Sequence, residues 1–203
     1  SDRPADLARR VLTVEEAYRE AGIEMVVDPR HTVVDDLGLE DLYWRPSELH
    51  DAMESHFSRF PGPWPKWHMW ALLASGAFED PVAGPRPSVG GILFDVSAPG
   101  QAGRTEERQG FAIFRNHTWF KDLVPDPTND PQAGAMRRFL YTYVHEIGHT
   151  LNLPHSWEKG RPDALSWMNY YWKYNYRRAN DSSWSYFRFG FDDQELIHLR
   201  HGN

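Results

Sequence analysis

The sequence predicts an α+β fold, and three observations lead to this prediction. Short apolar runs in the middle of the chain are typical of strands, a long amphipathic pattern follows them, and the chain closes on a further helical pattern. The chain has 203 residues, 40% hydrophobic and 25% charged, which are the proportions of an ordinary globular protein. A chain of this length forms one domain or at most two.

Two helices and a strand are expected in the first third of the chain. Apolar residues over 7–21 recur at alternating spacings of four and three, one face of a helix that Gly22 would end. Residues 23–28 alternate as a short strand does. Ser47 can cap a second helix that continues to residue 56, and the stretch before it looks irregular.

Three further strands are expected in the middle of the chain. Residues 67–74 form a continuous apolar run, as in a strand that is covered on both faces. Residues 89–96 and 109–115 read as two more strands. Polar segments rich in glycine or proline separate these runs and are expected to be loops: 80–87, 97–107 and 117–132.

The strongest helical pattern covers residues 136–151. Its apolar residues, from Met136 to Leu151, fall within about 140° of a helical wheel, so one face should pack on a sheet. Residues 157–191 are rich in aromatic side chains and show little regular pattern. Residues 192–201 are expected to form a C-terminal helix.

Composition narrows the class of protein. The formal net charge is −7 and no basic stripe occurs, which argues against a nucleic-acid partner. No apolar stretch is long enough to span a bilayer, and the polar first residues do not resemble a signal peptide. The absence of cysteine fits an exported bacterial protein or a cytoplasmic one. We expect a secreted monomer, with a cytoplasmic location as the alternative.

The amphipathic helix carries a pair of candidate metal ligands. His145 and His149 are four residues apart, so both imidazoles can reach one ion from the same face. That face lies opposite the apolar stripe and would present its nitrogens to a cleft. The structural alternative for any single histidine is a packed or solvated residue, but the spacing on an amphipathic helix favours zinc.

A third ligand follows where the helix is expected to break. In a continuous helix His155 would point away from the pair. Asn152 tolerates the left-handed conformation that ends helices, and Pro154 helps to prevent the helix from resuming. A sharp turn at Asn152 would swing His155 back towards His145 and His149.

Three histidines leave one coordination position open, which is typical of catalytic rather than structural zinc. Glu146 lies beside the first ligand, where it can hold a water molecule and take its proton as general base. Zinc would polarise the carbonyl group that the water attacks. The pattern predicts a hydrolase with one catalytic zinc ion.

The segment from His145 to His155 resembles the zinc signature of the metzincin metallopeptidases, H-E-x-x-H-x-x-G-x-x-H, with Asn152 at the glycine position. The clan also has a methionine-containing turn, and residues 166–170, with Met168, are similar to it. In astacin-like and serralysin-like members a tyrosine two residues after the methionine can ligate zinc and stabilise the oxyanion. Tyr170 has that spacing, although in matrixin-like members the position merely packs.

The resemblance implies a metalloendopeptidase that cleaves protein or peptide segments in extended form. It also implies a twisted, mostly parallel sheet with an antiparallel edge strand, in an N-terminal subdomain over 1–155. The subdomain over 156–203 would be smaller, mostly irregular and end in a helix, with zinc in the cleft. The edge strand that binds substrate would include four residues, Gly91, Ile92, Leu93 and Phe94. A simple bulge at the glycines is the alternative.

Other interpretations stay open at this point. A catalytically inert, zinc-containing peptide-binding module of the same fold is the main alternative, and a hydrolase of small amides or cell-wall peptides is another. Asp126 and Asp130 could bind calcium, but their spacing matches no calcium loop and a solvated turn is favoured. The remaining histidines are interpreted as surface or core residues: His31, His50, His56, His68, His117, His198 and His201.

Overall fold

Helices and strands both occur in the protein, as the sequence predicts. A computed structural model describes residues 11–28, 33–34, 42–57, 68–95, 108–120, 130–179 and 183–202, with residues 130–133 and 185 described by their backbone alone. The chain divides into two compact units, one formed by residues 29–150 and the other by residues 1–28 together with 151–203. The subdomain division expected at residue 155 stays a prediction.

Two three-stranded sheets are described in the unit 29–150. The strands are β1 (Tyr43–Trp44), β2 (Trp70–Ala74), β3 (Ala77–Asp80), β4 (Gly84–Arg86), β5 (Gly91–Leu93) and β6 (Gly110–Phe114). One sheet has the order β1-β3-β4 and the other the order β2-β6-β5. Each combines one parallel pair, β1 with β3 or β2 with β6, and one antiparallel pair, β3 with β4 or β5 with β6.

The expectation of a single, mostly parallel sheet is therefore wrong for the described residues. Its antiparallel strand is nevertheless present, because β5 lies at an edge of its sheet and pairs with β6 in antiparallel fashion. β4 lies inside the segment 80–87, which was expected to be a loop. Turn formation at Asp80 explains this, since its carboxylate accepts hydrogen bonds from the backbone of Val82 and Ala83 and brings β4 back against β3.

A helix packs beside these sheets and closes their core. α2 (Pro46–His56) begins with a proline at its first position and with the Glu48 carboxylate accepting from the Arg45 backbone N–H at 2.7 Å. Leu49 and Met53 on its apolar face are buried. The core joins α2 to strands of both sheets: Trp44, Leu49, Met53, Phe57, Leu72, Ala74, Phe78, Phe94, Ala112 and Phe114.

The long helix α3 (Asp130–Thr150) starts earlier than the periodic pattern and takes in residues that were expected to form a loop. It packs against β5 and β6. Val144 and Ile147 are buried as predicted, but Met136 is 45% exposed, so the apolar stripe meets the sheet only in the second half of the helix. In the second half of the helix the opposite face is buried as well, since His145 and Glu146 are almost inaccessible to solvent.

Helices are the regular elements described in the unit formed by the two ends of the chain. Its helices are α1 (Val14–Glu20), α4 (Tyr171–Arg178), α5 (Ser183–Tyr186) and α6 (Asp193–His201). α6 confirms the predicted C-terminal helix, whereas α4 and α5 show that the aromatic region is more regular than expected. Arg200 of α6 donates to the carbonyl groups of Ala21 and Glu20 at the end of α1.

Residues 23–28 do not form the predicted strand. Val26 and Val27 are 84% and 64% exposed, so the alternating pattern does not lie on a buried sheet face. Among the described residues, no helix has the length and apolar character needed to cross a membrane.

Candidate metal centre

The first two predicted ligands lie side by side on α3. The Nε2 atoms of His145 and His149 are 3.1 Å apart, and their rings are nearly perpendicular, with centroids 4.6 Å apart. Helical spacing of one turn produces this pairing. The ring of Tyr141 stacks on that of His145 at 5.7 Å and limits its rotation, and His145 itself is 4% exposed.

α3 is followed by a residue in the left-handed conformation. Asn152 has a φ of 63°, which confirms the predicted conformation. The next residue, Leu153, is 2% exposed and anchors the turn. The carbonyl oxygen of Leu151 lies 3.0 Å from His198 Nε2, which gives the end of the turn a polar partner.

The side chains of the three predicted histidine ligands lie close together. One ligand atom each from His145, His149 and His155 lies within 4.8 Å of the others, and His145 is buried while the other two are partly buried. Two nitrogens bound to a tetrahedral zinc ion at about 2.05 Å would be about 3.3 Å apart, close to the 3.1 Å between the first two ligands. Three imidazoles of this arrangement could bind a metal ion.

His155 is held by the side chain of Glu158. The His155 backbone N–H donates to Glu158 Oε2 at 2.9 Å, and His155 Nδ1 lies 3.0 Å from the same oxygen. Burial lowers the pKa of His155 below its ordinary value, although the neighbouring carboxylate opposes this shift. A lowered pKa favours the neutral imidazole, which is the form that binds metals.

Glu146, the predicted general base, is 6% exposed and lies between its helix and β5. The backbone N–H of Leu93 donates to its carboxyl group. Burial raises the pKa of Glu146 to about 8 in the absence of a metal ion, and the Leu93 hydrogen bond only partly offsets this effect. A carboxyl group with a raised pKa next to metal ligands has the character of a proton acceptor that works near neutral pH.

Residues 166–170, the predicted methionine turn, form a turn in the structure. The Asn169 backbone N–H donates to the Ser166 carbonyl oxygen at 3.1 Å, and Met168 is fully buried. The Met168 carbonyl oxygen accepts from the backbone N–H of Ser156 at 2.9 Å, immediately after the third histidine. Met168 therefore supports the segment that carries His155 through its backbone.

A buried carboxylate ties this turn to the segment after His155. Glu195 is 1% exposed and accepts from the hydroxyl groups of Ser156, at 2.9 Å, and Ser166. The Lys159 ammonium group lies 3.0 Å from Glu195 Oε1 and offsets its charge. Sequence reasoning missed Glu195, because its partners are far away in the chain.

Tyr170 lies next to the third histidine. Its ring centroid is 4.5 Å from that of His155, and on its other side Trp172 stacks at 4.1 Å with an interplanar angle of 14°. Trp157 stacks on His155 at 5.6 Å and carries the Lys173 ammonium group over its ring at 4.4 Å. The structure thus brings Tyr170 to His155, while a metal-binding role of its hydroxyl group stays a prediction.

The predicted substrate strand is present as β5, but its glycine has a different neighbour from the one expected. A Cβ atom on Gly91 would fall 2.7 Å from Thr142 Cγ2 and 2.9 Å from Glu146 Oε1. The missing side chain thus makes room for α3. Substrate binding by Gly91, Ile92, Leu93 and Phe94 stays a prediction.

Two further expectations concern other candidate ligands. The calcium alternative at Asp126 and Asp130 lies outside the described side chains. His50, which was interpreted as a surface or core residue, forms a second group with Asp51 and Glu54 on α2. Its neighbours are exposed carboxylates, a common arrangement without a metal ion.

Sequence reasoning also missed two groups that support the metal-binding segment. Arg108 Nε donates to the carbonyl oxygen of His149 at 3.0 Å, and Glu158 holds His155. The second could have been found, since a glutamate three residues after a ligand is close enough to turn back on it. Arg108 offers no such signal.

Comparisons of the chain with protein-family models, with curated proteins and with solved structures find no match. The resemblance to metzincins therefore rests on the residues from His145 to Tyr170.

Proposed function

We propose that the protein is a zinc-dependent endopeptidase of the metzincin type. The observation that carries this proposal is the meeting of His145, His149 and His155 within 4.8 Å, with Glu146 next in sequence to the first of them. Three neutral imidazoles are the ligand set of several catalytic zinc sites, whereas structural zinc sites have four protein ligands.

Each residue of the centre has a distinct role in the proposed reaction. The histidines would hold the ion, which when bound supplies a Lewis acid for the substrate carbonyl group. Glu146 takes a proton from the attacking water and later gives it to the departing amine. Its burial supports this role, because a raised pKa favours the uptake of a proton near neutral pH.

The proposed substrate is a peptide in extended form. β5 lies at a sheet edge, where a peptide could add as a further strand by backbone hydrogen bonds. The Leu93 N–H is already bonded to Glu146. A peptide that used this donor would compete with the Glu146 carboxyl group for it, and would release that group towards water.

Tyr170 is proposed to assist the hydrolysis of the peptide bond. Its ring lies against that of His155, and its hydroxyl group would donate a hydrogen bond to the carbonyl oxygen under attack. Replacing Tyr170 with phenylalanine should lower kcat and leave zinc binding intact.

The test combines metal analysis with proteolysis. The purified protein should bind one zinc ion, measured by elemental analysis, and should cleave casein or members of a diverse peptide library in a manner that a chelator abolishes. Glu146→Ala should retain zinc and lose about 10²- to 10⁴-fold in turnover. Glu24→Ala, which removes an exposed carboxylate, is the matched control and should behave as the wild type. Unchanged turnover by the Glu146 variant would refute the proposed role.

One observation favours an inert peptide-binding module as the second candidate. Glu146 is bonded to Leu93 and nearly inaccessible, as a purely structural carboxyl group would be. Such a module would bind peptides from the same library without cutting them, with or without chelator. Mass spectrometry of the incubated library separates the two functions, because only the peptidase gives fragments.

A further inference from the structure

We propose that Glu158 is a positioning residue for the metal centre, which fixes the ring of His155 through Nδ1 so that Nε2 is the atom that binds the ion. The inference rests on the metal site of the proposed function. It concerns how the third ligand is held, since the zinc signature itself does not include Glu158.

His155, unlike His145 and His149, is not part of a helix. His145 and His149 both lie on α3, whose regular backbone places their Cβ atoms one turn apart on the same face. His155 follows a left-handed turn and belongs to no helix or strand. Its orientation must come from contacts made by the residues around it.

Glu158 supplies two of those contacts with one oxygen atom. Oε2 accepts from the His155 backbone N–H at 2.9 Å and lies 3.0 Å from Nδ1 of the same residue. The backbone reciprocates, because the Glu158 N–H donates to the His155 carbonyl oxygen at 3.1 Å. The two residues therefore close a compact turn, which keeps the carboxylate next to the ring.

Metal-binding histidines commonly donate their other ring N–H to a carboxylate, which fixes the tautomer and the orientation of the ring. In the structure His155 Nδ1 lies 3.0 Å from Glu158 Oε2 without forming an aligned hydrogen bond. A small rotation of the ring in the zinc-loaded protein would direct a proton on Nδ1 to this oxygen and leave the lone pair of His155 on Nε2. A carboxylate this close also adds a negative charge next to the ion. Loss of such a partner typically weakens metal binding about 10- to 100-fold.

Two variants separate these contributions. Glu158→Ala removes the acceptor oxygen and the charge, whereas Glu158→Gln retains an acceptor oxygen for the backbone N–H and for Nδ1–H. We expect zinc affinity, measured by competition with a chromogenic chelator, to fall about 10- to 100-fold for the alanine variant. The glutamine variant should recover at least half of that loss on a logarithmic scale. Glu24→Ala controls for the removal of a negative charge elsewhere.

A spectroscopic measurement tests the positioning directly. Long-range ¹H–¹⁵N NMR of the zinc-loaded wild type should show the proton of His155 on Nδ1, and the alanine variant should show altered or broadened His155 signals. Thermal unfolding with excess chelator establishes that both variants are folded. An alanine variant within twofold of the wild-type affinity, or equal losses in both variants, would overturn the proposal.

The result is independent of peptidase activity. If the protein binds zinc but cuts no peptide, the proposed function fails while the Glu158 experiment still gives its answer. If Glu158→Ala binds zinc normally, the positioning role fails while the peptidase proposal stands.

Discussion

Gly91 and Glu146 are so close that the glycine cannot be replaced without moving the glutamate. A Cβ atom at position 91 would fall 2.8 Å from Glu146 Cγ and 2.9 Å from Oε1, which is closer than nonbonded carbon and oxygen atoms normally come. The strand therefore determines where the carboxyl group sits, and the Leu93 N–H two residues later holds it there.

Gly91→Ala is expected to displace Glu146 and to lower turnover by at least about tenfold, at a cost of about 1–3 kcal/mol in stability from overpacking. Zinc stoichiometry should not change, because the added methyl group meets Thr142 and Glu146, which are not among the three histidine ligands. The control is Gly190→Ala, where a Cβ atom would meet nothing within 4 Å. Wild-type kcat/KM in the Gly91 variant would mean that the position of Glu146 is unimportant for activity.

Asn152→Gly should be tolerated and Asn152→Ala should not. The residue has a φ of 63°, which glycine adopts without strain and alanine adopts at a cost of about 1 kcal/mol. Denaturant unfolding and zinc titration of both variants check this expectation. The reverse order of stability would show that the Asn152 side chain, and not its backbone, is what the turn needs.

His149→Ala should abolish stoichiometric zinc binding and remove the stabilisation that zinc gives to the wild type. Zinc at a hundred times its dissociation constant stabilises a folded protein by about 2.7 kcal/mol. We therefore expect zinc to raise the melting temperature of the wild type and of His201→Ala, an exposed control, but not that of His149→Ala. A bound equivalent of zinc in the His149 variant would contradict the assigned ligand set.

Glu195→Ala should destabilise the protein more than any exposed substitution in α6. The change removes the acceptor for the Ser156 and Ser166 hydroxyl groups and for the partly exposed Lys159 ammonium group. Leaving a buried polar group without its partner costs about 1–3 kcal/mol. Asp193→Ala in the same helix is the control, and it should lower the free energy of unfolding by only about 0.5 kcal/mol. Similar unfolding midpoints for the two variants would rule out a supporting role for Glu195.

Asp192 should make stability dependent on pH in the acid range. Burial on its own raises the pKa of Asp192, but hydrogen bonds from Arg161 and from the Glu195 backbone outweigh it and lower the pKa below its ordinary value of 3.8. A carboxylate with a lowered pKa stabilises the fold above about pH 4, and this contribution is lost as the pH falls further.

Asp192→Asn keeps an oxygen that can cap α6 but removes the charge that faces Arg161 at 2.5 Å. At about pH 6 we expect the variant to be less stable by about 1 kcal/mol, with the difference vanishing towards pH 2. Urea unfolding of both metal-free proteins across this range measures it. A difference that is constant with pH would exclude the titration of Asp192 as its cause.

Local signals predicted the centre of the site well. The pairing of His145 with His149 follows from helical spacing, and the kink at Asn152 from the backbone preference of asparagine, so both were accessible without any knowledge of distant contacts. The position of Met168 in a buried turn was predicted from the family resemblance.

Contacts between residues far apart in the chain were not predictable in this way. Ser156 and Glu195 are 39 residues apart, and neither spacing nor composition indicates that they meet. The length of α3 was underestimated, because its first residues lack the apolar periodicity that marks the rest. The strand predicted at 23–28 failed for the opposite reason: its alternation is present, but its valines face solvent.

The bonds from Arg200 to the carbonyl groups of Ala21 and Glu20 have a consequence for biosynthesis. Arg200 is synthesised 180 residues after Glu20, so α1 leaves the ribosome well before its partner helix. The unit 29–150 can fold while translation continues, as domains generally do. The unit that contains α1 and α6 can be completed only after α6 has been synthesised.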